Sequence, residues 1–382
     1  MEEMDLLSIR EEIDKINNDI IDLYIKRMRL AEGVADYKLR HSLPVFQSSR
    51  EDEILNRVEK NSPPDLAQGA RLLFTEILDI SKCHQQNRLT KLVPLEISAT
   101  RENPIVGCPG ISGSYSEEAC HKAFGGRQRE IRFFKTFDEV FEAVDSGSVD
   151  YGVVPLENST AGGVGTTYDL MGKHDFHICR RLSIPINHVL AAKSDTAFTD
   201  VKTVISHEHA LNQCSQFLKA GGAFKALPAA NTSIAAKTVA DSGERNIACI
   251  CSAACAKLYG LSVLKENISN CPDNFTRFIV ISKALEVSEN ADIVTLSLSL
   301  PHSAGALYRM LTRFAFSGLN LTKIESKPVP LSAGKDSGDS FGVIFYLDFN
   351  GSIKSDVVAK LLQNLKNESE YYKLLGNYED MQ

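Results

Sequence analysis

The 382-residue sequence has no long basic run, no Cys-x-x-Cys pair and no Gly-x-Gly-x-x-Gly fingerprint. It also has no stretch approaching the roughly 18 apolar residues that span a bilayer. Each absence excludes something. With a net charge of −7 spread along the chain and no basic run, nucleic acid is not the expected main partner. Without an apolar span no membrane-crossing helix is expected. The start, MEEMDLLSIREEID, is acidic and helical in pattern and lacks the basic-then-apolar order of a secretory signal. The nine cysteines are odd in number and scattered, apart from Cys249, Cys251 and Cys255. That usage reads as reduced thiols in a cytoplasmic protein, not as a disulfide or zinc framework. The histidines are dispersed too. His207 and His209 alternate without a third ligand, so no metal is expected. The missing glycine fingerprint leaves a nucleotide cofactor without a cradle.

What is present suits a soluble globular protein: 43% hydrophobic and 24% charged residues. The length exceeds one ordinary core and predicts two or three domains. Hydrophobic periodicity divides the chain into segments at 1–91, 103–283 and 292–372. In the first, Ile9, Ile13, Ile16, Ile20, Leu23, Leu30, Val34 and Tyr37 keep alternating four-and-three spacing, a coiled-coil-like seam. His41-Ser-Leu-Pro44 ends this long helix, and Ser48 with Glu51 is a capping box opening a shorter one. Asn61-Ser-Pro-Pro64 closes that, and a third helix is predicted over Asp65–Arg88 with Leu66, Ala70, Leu73, Ile77 and Ile80 as its seam. Three such helices enclose little core alone, so the seam predicts burial against a second copy.

One seam position breaks the rule. Arg27 stands where an apolar residue belongs, and a cation there is costly unless it meets an anion or solvent. Lys38, eleven residues on, lies on nearly the same face. Arg10 is roughly 100° away and serves a ligand only in a different pocket, such as one in a partner chain. Ser81 and Gln85 share a face of the third helix, and Arg50 and Glu51 open the second. Singly, each also suits a solvated surface or a helix cap. Together, LLSIREEID, KRMRLAEGVADYK, SSREDEIL and ISKCHQQ resemble the all-helical class of chorismate mutases. That resemblance implies an intertwined dimer and carries an active-site pattern onto Arg10, Arg27, Lys38, Arg50, Glu51, Ser81 and Gln85, with Arg10 crossing into the neighbouring protomer's pocket. Gln47 replaces an aspartate common in the family. The implied reaction is an intramolecular rearrangement of a dianion, for which cations hold the folded conformer. Lys38 and Gln85 then donate to the ether oxygen where charge develops, and Glu51 holds the substrate hydroxyl.

From Pro104 short apolar runs alternate with amphipathic helices, an α/β pattern. Strands are predicted at Tyr151–Pro155, His177–Leu182, His188–Ala192, Thr203–Ser206, Ile247–Cys251 and Phe278–Ser282. Helices are predicted at Ser116–Phe124, Phe137–Ser146, Ala210–Ala220 and Ser233–Ser242. Four motifs lie on this frame. Gly110-Ile-Ser-Gly113-Ser-Tyr-Ser116 is a glycine turn entering a helix whose N-terminus suits an anion. Val154-Pro-Leu-Glu157-Asn158-Ser159-Thr160 follows a buried strand and precedes a glycine-rich turn. Ser206-His-Glu-His-Ala-Leu-Asn-Gln213-Cys214 spans a strand-to-helix junction, and Asn274-Phe-Thr276-Arg277-Phe278 enters a strand. Each alone suits a turn or a strand entry. In this order they resemble prephenate dehydratases, although CPGISGSYS departs from the commoner GPxGSYS. The resemblance implies a two-lobed fold like the periplasmic binding proteins, with the site in the cleft and no cofactor. It makes Thr276 the essential hydroxyl donor, with Glu157, Asn158, Ser159, Ser206, Gln213 and Arg277 around the substrate.

The last segment reads strand, helix, strand, strand, helix, strand, a ferredoxin-like split βαβ pattern. Gly305-Ala306-Leu307 opens its first helix and Glu325-Ser326-Lys-Pro328 ends its second strand. These resemble the GAL and ESRP motifs of the ACT domain, the amino-acid-binding regulatory domain of phenylalanine-sensitive dehydratases, with Lys327 in place of arginine. The resemblance implies L-phenylalanine as an allosteric effector held between paired domains. Two rivals stay open: a dehydratase preferring arogenate, and a non-catalytic amino-acid sensor on the same scaffold. A fused mutase favours prephenate, its own product, and an intact Thr276-Arg277 pair is of no use to a sensor.

Overall fold

The computed structural model describes residues 5–41, 48–125, 129–221, 224–330 and 341–381. Gln47 and the Gly/Ser/Asp loop at 332–340 lie outside the described residues. The first segment is three helices: α1 (Leu6–Arg40), α2 (Ser48–Asn61) and α3 (Ala67–Leu89). Asp5 starts α1 by accepting a hydrogen bond from the Ser8 amide at 2.9 Å, as an N-cap should. Only the C-terminal half of α1 is covered within the chain, through Met28, Ala31 and Ala35. The predicted seam is bare along most of its length; Ile16 and Leu23 are 55% and 64% exposed.

The middle of the chain forms two α/β lobes. In order, the elements are β1 (Ile105–Pro109), α4 (Tyr115–Phe124), β2 (Glu130–Phe134), α5 (Phe137–Asp145), β3 (Tyr151–Asn158), β4 (Gly162–Gly163), α6 (Gly165–Lys173), β5 (His177–Pro185), β6 (Val189–Ala192), β7 (Thr203–His207), α7 (Glu208–Gln213), α8 (Ser215–Ala220), β8 (Lys225–Ala229), α9 (Thr232–Asp241), β9 (Ile247–Cys251), α10 (Ala253–Leu258), β10 (Ser262–Lys265) and β11 (Phe275–Ser282). One sheet runs β5-β11-β3-β1-β2, with β4 beside β3; the other runs β10-β6-β9-β7-β8. The chain crosses between lobes after Pro185 and returns before Phe275, and the crossings are tied by the Ile186 amide donating to Asn274 O at 2.8 Å. Every residue of β9 is buried, which is why its sequence, IACIC, is apolar throughout and does not alternate.

The last elements are β12 (Ile293–Ser299), α11 (Ala306–Phe316), β13 (Leu321–Pro330), β14 (Phe341–Asn350), α12 (Asp356–Glu368), β15 (Tyr372–Tyr378) and β16 (Asp380–Met381). The order β13-β14-β12-β15 is that of a βαββαβ sheet, with β13 at its edge. β16 joins the first lobe beside β5, where Asp380 pairs with Arg181 at 2.9 Å. The segments pack as two compact units: Met1–Leu95 with Thr295–Leu374, and Glu96–Val294 with Leu375–Gln382. No described helix is long and apolar enough to cross a membrane.

Two differences from the sequence reading bear on the sites. The predicted helix Ala210–Ala220 is two short helices broken at Cys214, whose ψ of 16° leaves the helical range. The strand entering at Phe278 begins at Phe275, and that ending at Pro155 continues to Asn158, so Thr276, Arg277, Glu157 and Asn158 are all strand residues.

Candidate active sites

On the helical segment, Arg27, Lys38, Arg50, Glu51, Ser81 and Gln85 line one cavity of about 490 Å³, walled by Leu30, Val34, Ile54 and Leu78. The structure therefore brings together six of the seven residues singled out there. Arg10 is exposed and lies seventeen residues, or about 25 Å of helix, before Arg27. Lys38, Ser81 and Gln85 are buried. Burial depresses the Lys38 ammonium below the ordinary lysine range, and the nearby Glu51 charge partly opposes this. Burial likewise lowers Arg27, whose guanidinium donates to Ile77 O at 3.4 Å. Gln85 Nε2 donates to Ser81 Oγ at 3.2 Å, and its buried carbonyl oxygen has no partner among the described residues. Arg50 pairs with Glu53 at 2.6 Å on the exposed rim. The sequence reading missed Lys82, which also lines the cavity and pairs with Glu51 at 3.1 Å and Asp79 at 2.6 Å. Its position beside Ser81 was the available signal.

In the two-lobed segment the antiparallel pairing of β3 and β11 sets Thr276 opposite Asn158 and Arg277 opposite Glu157. Asn158 is the hub. Its Nδ2 lies 3.0 Å from Asn274 Oδ1, Phe275 O and Thr276 Oγ1. Its Oδ1 accepts from the Thr160 amide at 3.0 Å and the Thr160 hydroxyl at 2.7 Å. Because Thr276 Oγ1 accepts from an amide, its own hydrogen is left to donate, and the accepted bond polarises it in that direction. Arg277 forms an ion pair with Glu157, which orients the guanidinium. Ser159 Oγ accepts from the Phe275 amide at 3.1 Å.

Across the cleft, Gln213 Nε2 donates to Thr160 Oγ1 at 3.1 Å, and Gln213 Oε1 meets His188 Nε2 at 3.1 Å. Burial lowers the His188 imidazole's pKa and so favours its neutral form. His188 Nδ1 in turn faces Tyr115 OH at 3.4 Å. Thr160, Gln213 and Asn274 line a cavity of about 290 Å³ with His209, Asn212 and Asn270; Thr276 and Arg277 are not in its wall. Asn274 is 2% exposed and its Nδ2 has no partner among the described residues. Ser206 is fully buried and donates to Ile250 O at 2.7 Å, inside the second sheet. The glycine turn is already occupied by a carboxylate of its own chain: Glu117 accepts from the Gly113 amide at 2.6 Å and from Ser112 Oγ at 3.1 Å. Tyr115, His188, Thr160 and Asn274 were not named as site residues from the sequence, although the glycine-turn, Val154–Thr160 and Asn-Phe-Thr-Arg-Phe motifs contain three of them.

The comparisons with known proteins follow the same division. Residues 9–86 match the chorismate mutase type II family and residues 106–286 the prephenate dehydratase family. The bifunctional chorismate mutase/prephenate dehydratase of Escherichia coli is 31% identical over 390 residues, covering 98% of this chain and 96% of that one. The chain belongs to the bifunctional chorismate mutase/prephenate dehydratase family. An Arabidopsis thaliana arogenate dehydratase/prephenate dehydratase is 34% identical over 278 residues, 70% of each chain. A prephenate dehydratase from Arthrobacter aurescens, solved with L-Phe, is 30% identical with a TM-score of 0.62, covering 72% of this chain and 89% of that one.

Between the last strands of this bifunctional family member, Gly305 adopts φ +76°, a conformation that favours glycine, immediately before α11. Ala306 is half-buried and Leu307 is exposed. Arg309 folds back over the turn, donating to Ala304 O and Ser303 Oγ, each at 3.1 Å. Glu325 and Ser326 lie on the edge strand β13, Glu325 pairing with Lys323 at 3.3 Å.

Proposed function

We propose that residues 1–91 rearrange chorismate to prephenate, that residues 103–283 decarboxylate and dehydrate prephenate to phenylpyruvate, and that residues 292–372 bind L-phenylalanine and restrain the chain. The observation that carries the first reading is the cavity itself, which gathers the four cations Arg27, Lys38, Arg50 and Lys82 with one carboxylate, one amide and the Ser81 hydroxyl on an apolar helical frame. A reaction needing only a held conformer and a stabilised ether oxygen asks for this set. Arg27 and Arg50 hold carboxylates, Lys38 and Gln85 donate to the breaking carbon–oxygen bond, Glu51 takes the substrate hydroxyl and Ser81 orients Gln85.

For the second reaction, Thr276 donates its proton to the departing ring hydroxyl, which leaves as water. The electron pair of the breaking carbon–carboxylate bond enters the ring as carbon dioxide is released, and a solvent proton restores the threonine hydroxyl. Asn158 holds the Thr276 hydroxyl from behind, Arg277 meets a substrate carboxylate, and Gln213 closes the site from the other lobe. Glu157 and Ser159 hold the two strands' polar ends in place, and Ser206 supports the second sheet beneath. The reduced thiols suit the cytosol; all nine cysteines are free. Purified protein given chorismate should release phenylpyruvate, and should turn over prephenate faster than arogenate. Saturating L-phenylalanine should lower the dehydratase rate, since a coupling of about 1–3 kcal/mol corresponds to about 5–150-fold. No phenylpyruvate, or no response to L-phenylalanine, overturns the corresponding assignment.

The bare seam of α1 supports a homodimer in which Arg10 reaches the other protomer's cavity. The edge strand β13 offers a second self-pairing surface beside the Glu325-Ser326 motif, suited to paired effector domains. A double Ile16→Asp, Leu23→Asp variant should sediment with a smaller mass than the wild type and lose mutase activity. A variant of unchanged mass overturns the seam's role.

A further inference from the structure

The third helix carries a residue at the border between two cavities. Around the axis of α3, taking Ser81 as zero, Gln85 falls near 40°, Lys82 near 100°, Gln86 near 140° and Asp79 near 160°. Ser81 and Gln85 face the mutase cavity. Asp79 and Gln86 face a second cavity of about 440 Å³, shared with Arg309, Met310 and Arg313 of α11 and Glu368 of α12. Lys82 lines both. Its ammonium reaches Glu51 at 3.1 Å on one side and Asp79 at 2.6 Å on the other, and its side chain is only 15% exposed.

We infer that Lys82 is a positioning residue of the mutase site: anchored on Asp79, it holds the Glu51 carboxylate where the substrate hydroxyl docks. This rests on the mutase reading above. Glu51 is the one carboxylate among the cavity's lining groups, which otherwise include the cations Arg27, Lys38 and Arg50. Without a counter-charge on the α3 wall it collapses toward Lys38, whose ammonium already feels it. That collapse occupies the donor meant for the ether oxygen and leaves the hydroxyl without its acceptor. Asp79 makes the anchor firm. It is 5% exposed, its Oδ1 pairs with Lys82, and among the described residues its buried Oδ2 has no partner. A carboxylate so desolvated holds a single cation tightly, because losing it would leave an uncompensated buried charge. The same anchor stands in the wall of the second cavity, so Glu51 is tied to a residue that α11 and α12 help enclose.

The test uses the full-length protein and steady-state kinetics with chorismate, with dehydratase turnover on the same samples reporting an intact fold. Lys82→Met should raise the chorismate KM about 10-fold with a smaller change in kcat, the pattern of a lost ground-state contact. Lys82→Arg should restore KM to within about 3-fold of the wild type. In a Glu51→Gln background, Lys82→Met should change kcat/KM by less than about 2-fold, because the two act as one unit. A Lys82→Met variant with wild-type constants, or with the same loss in both backgrounds, overturns the inference. If Lys82→Met also loses dehydratase activity, Asp79→Asn decides: a raised chorismate KM supports the inference and an unchanged one overturns it. A wild-type chain inert toward chorismate overturns the mutase reading itself, a result distinct from a wild-type-like Lys82→Met.

Discussion

Replacing Thr276 by alanine should lower prephenate turnover by about 10²–10⁴-fold, the range for a lost proton donor, while chorismate turnover stays at the wild-type level. The geometry behind this is the bond from Asn158 Nδ2 to Thr276 Oγ1 at 3.0 Å. A hydroxyl that accepts from an amide has its hydrogen directed away from that amide, and donates more strongly because of it. A free threonine is a poor acid, so the work depends on this polarisation and on the nearby Arg277 charge. Thr276→Ser keeps the hydroxyl and should retain part of the rate. Thr276→Val keeps the shape and the β-branch of the strand but not the donor, and should behave like alanine. Phenylpyruvate formation from prephenate measures all three. A valine variant as active as wild type would transfer the proton to another group.

Replacing Lys38 by methionine should cost the mutase about 10²–10³-fold in kcat with the dehydratase unaffected, the scale of removing one donor to a developing oxyanion. Methionine fits the buried stem, so the loss reports the charge and not a cavity. The same residue predicts a pH effect. In the role proposed for it Lys38 donates as the ammonium, and burial lowers its pKa. Activity is therefore present below that pKa and lost as pH rises through it, and the alkaline limb falls below the roughly 10.4 of an ordinary lysine. A mutase rate that is flat to the top of the protein's stable range would remove Lys38 from the donor role. The limb should be absent from the dehydratase profile measured on the same protein.

The helical site was legible because helix geometry is regular. Once Arg27 was seen to interrupt the seam, three turns of helix placed Lys38 on the same face, and four residues placed Gln85 over Ser81. Partners brought by packing were not legible. Lys82 faces Glu51 across thirty-one residues of sequence, and nothing local indicates that contact. In the two lobes most strands with buried faces were found, but β1, buried and lying between β3 and β2, was not, because its five residues include a glycine and a proline and show no alternation. Nor were β2, β8 and β10, which are sheet edges exposed on much of their length, so burial left little alternation in them. The glycine turn was read as a place for an anion. It has one, but from Glu117 of the same helix, a reciprocal cap that its sequence position permits but does not require.

By itself the sequence determined the helical or alternating character of successive stretches, and the motifs at strand ends and helix starts, because side-chain period follows directly from backbone geometry. Tertiary structure alone decided which polar groups meet. The register of β3 against β11 sets Asn158 beneath Thr276, and the two crossings bring Gln213 and His188 to the same cleft. These contacts join residues between 25 and 118 positions apart. Local propensity carries no information over such distances; burial of each lobe's core, and the need to pair every polar group left inside, does.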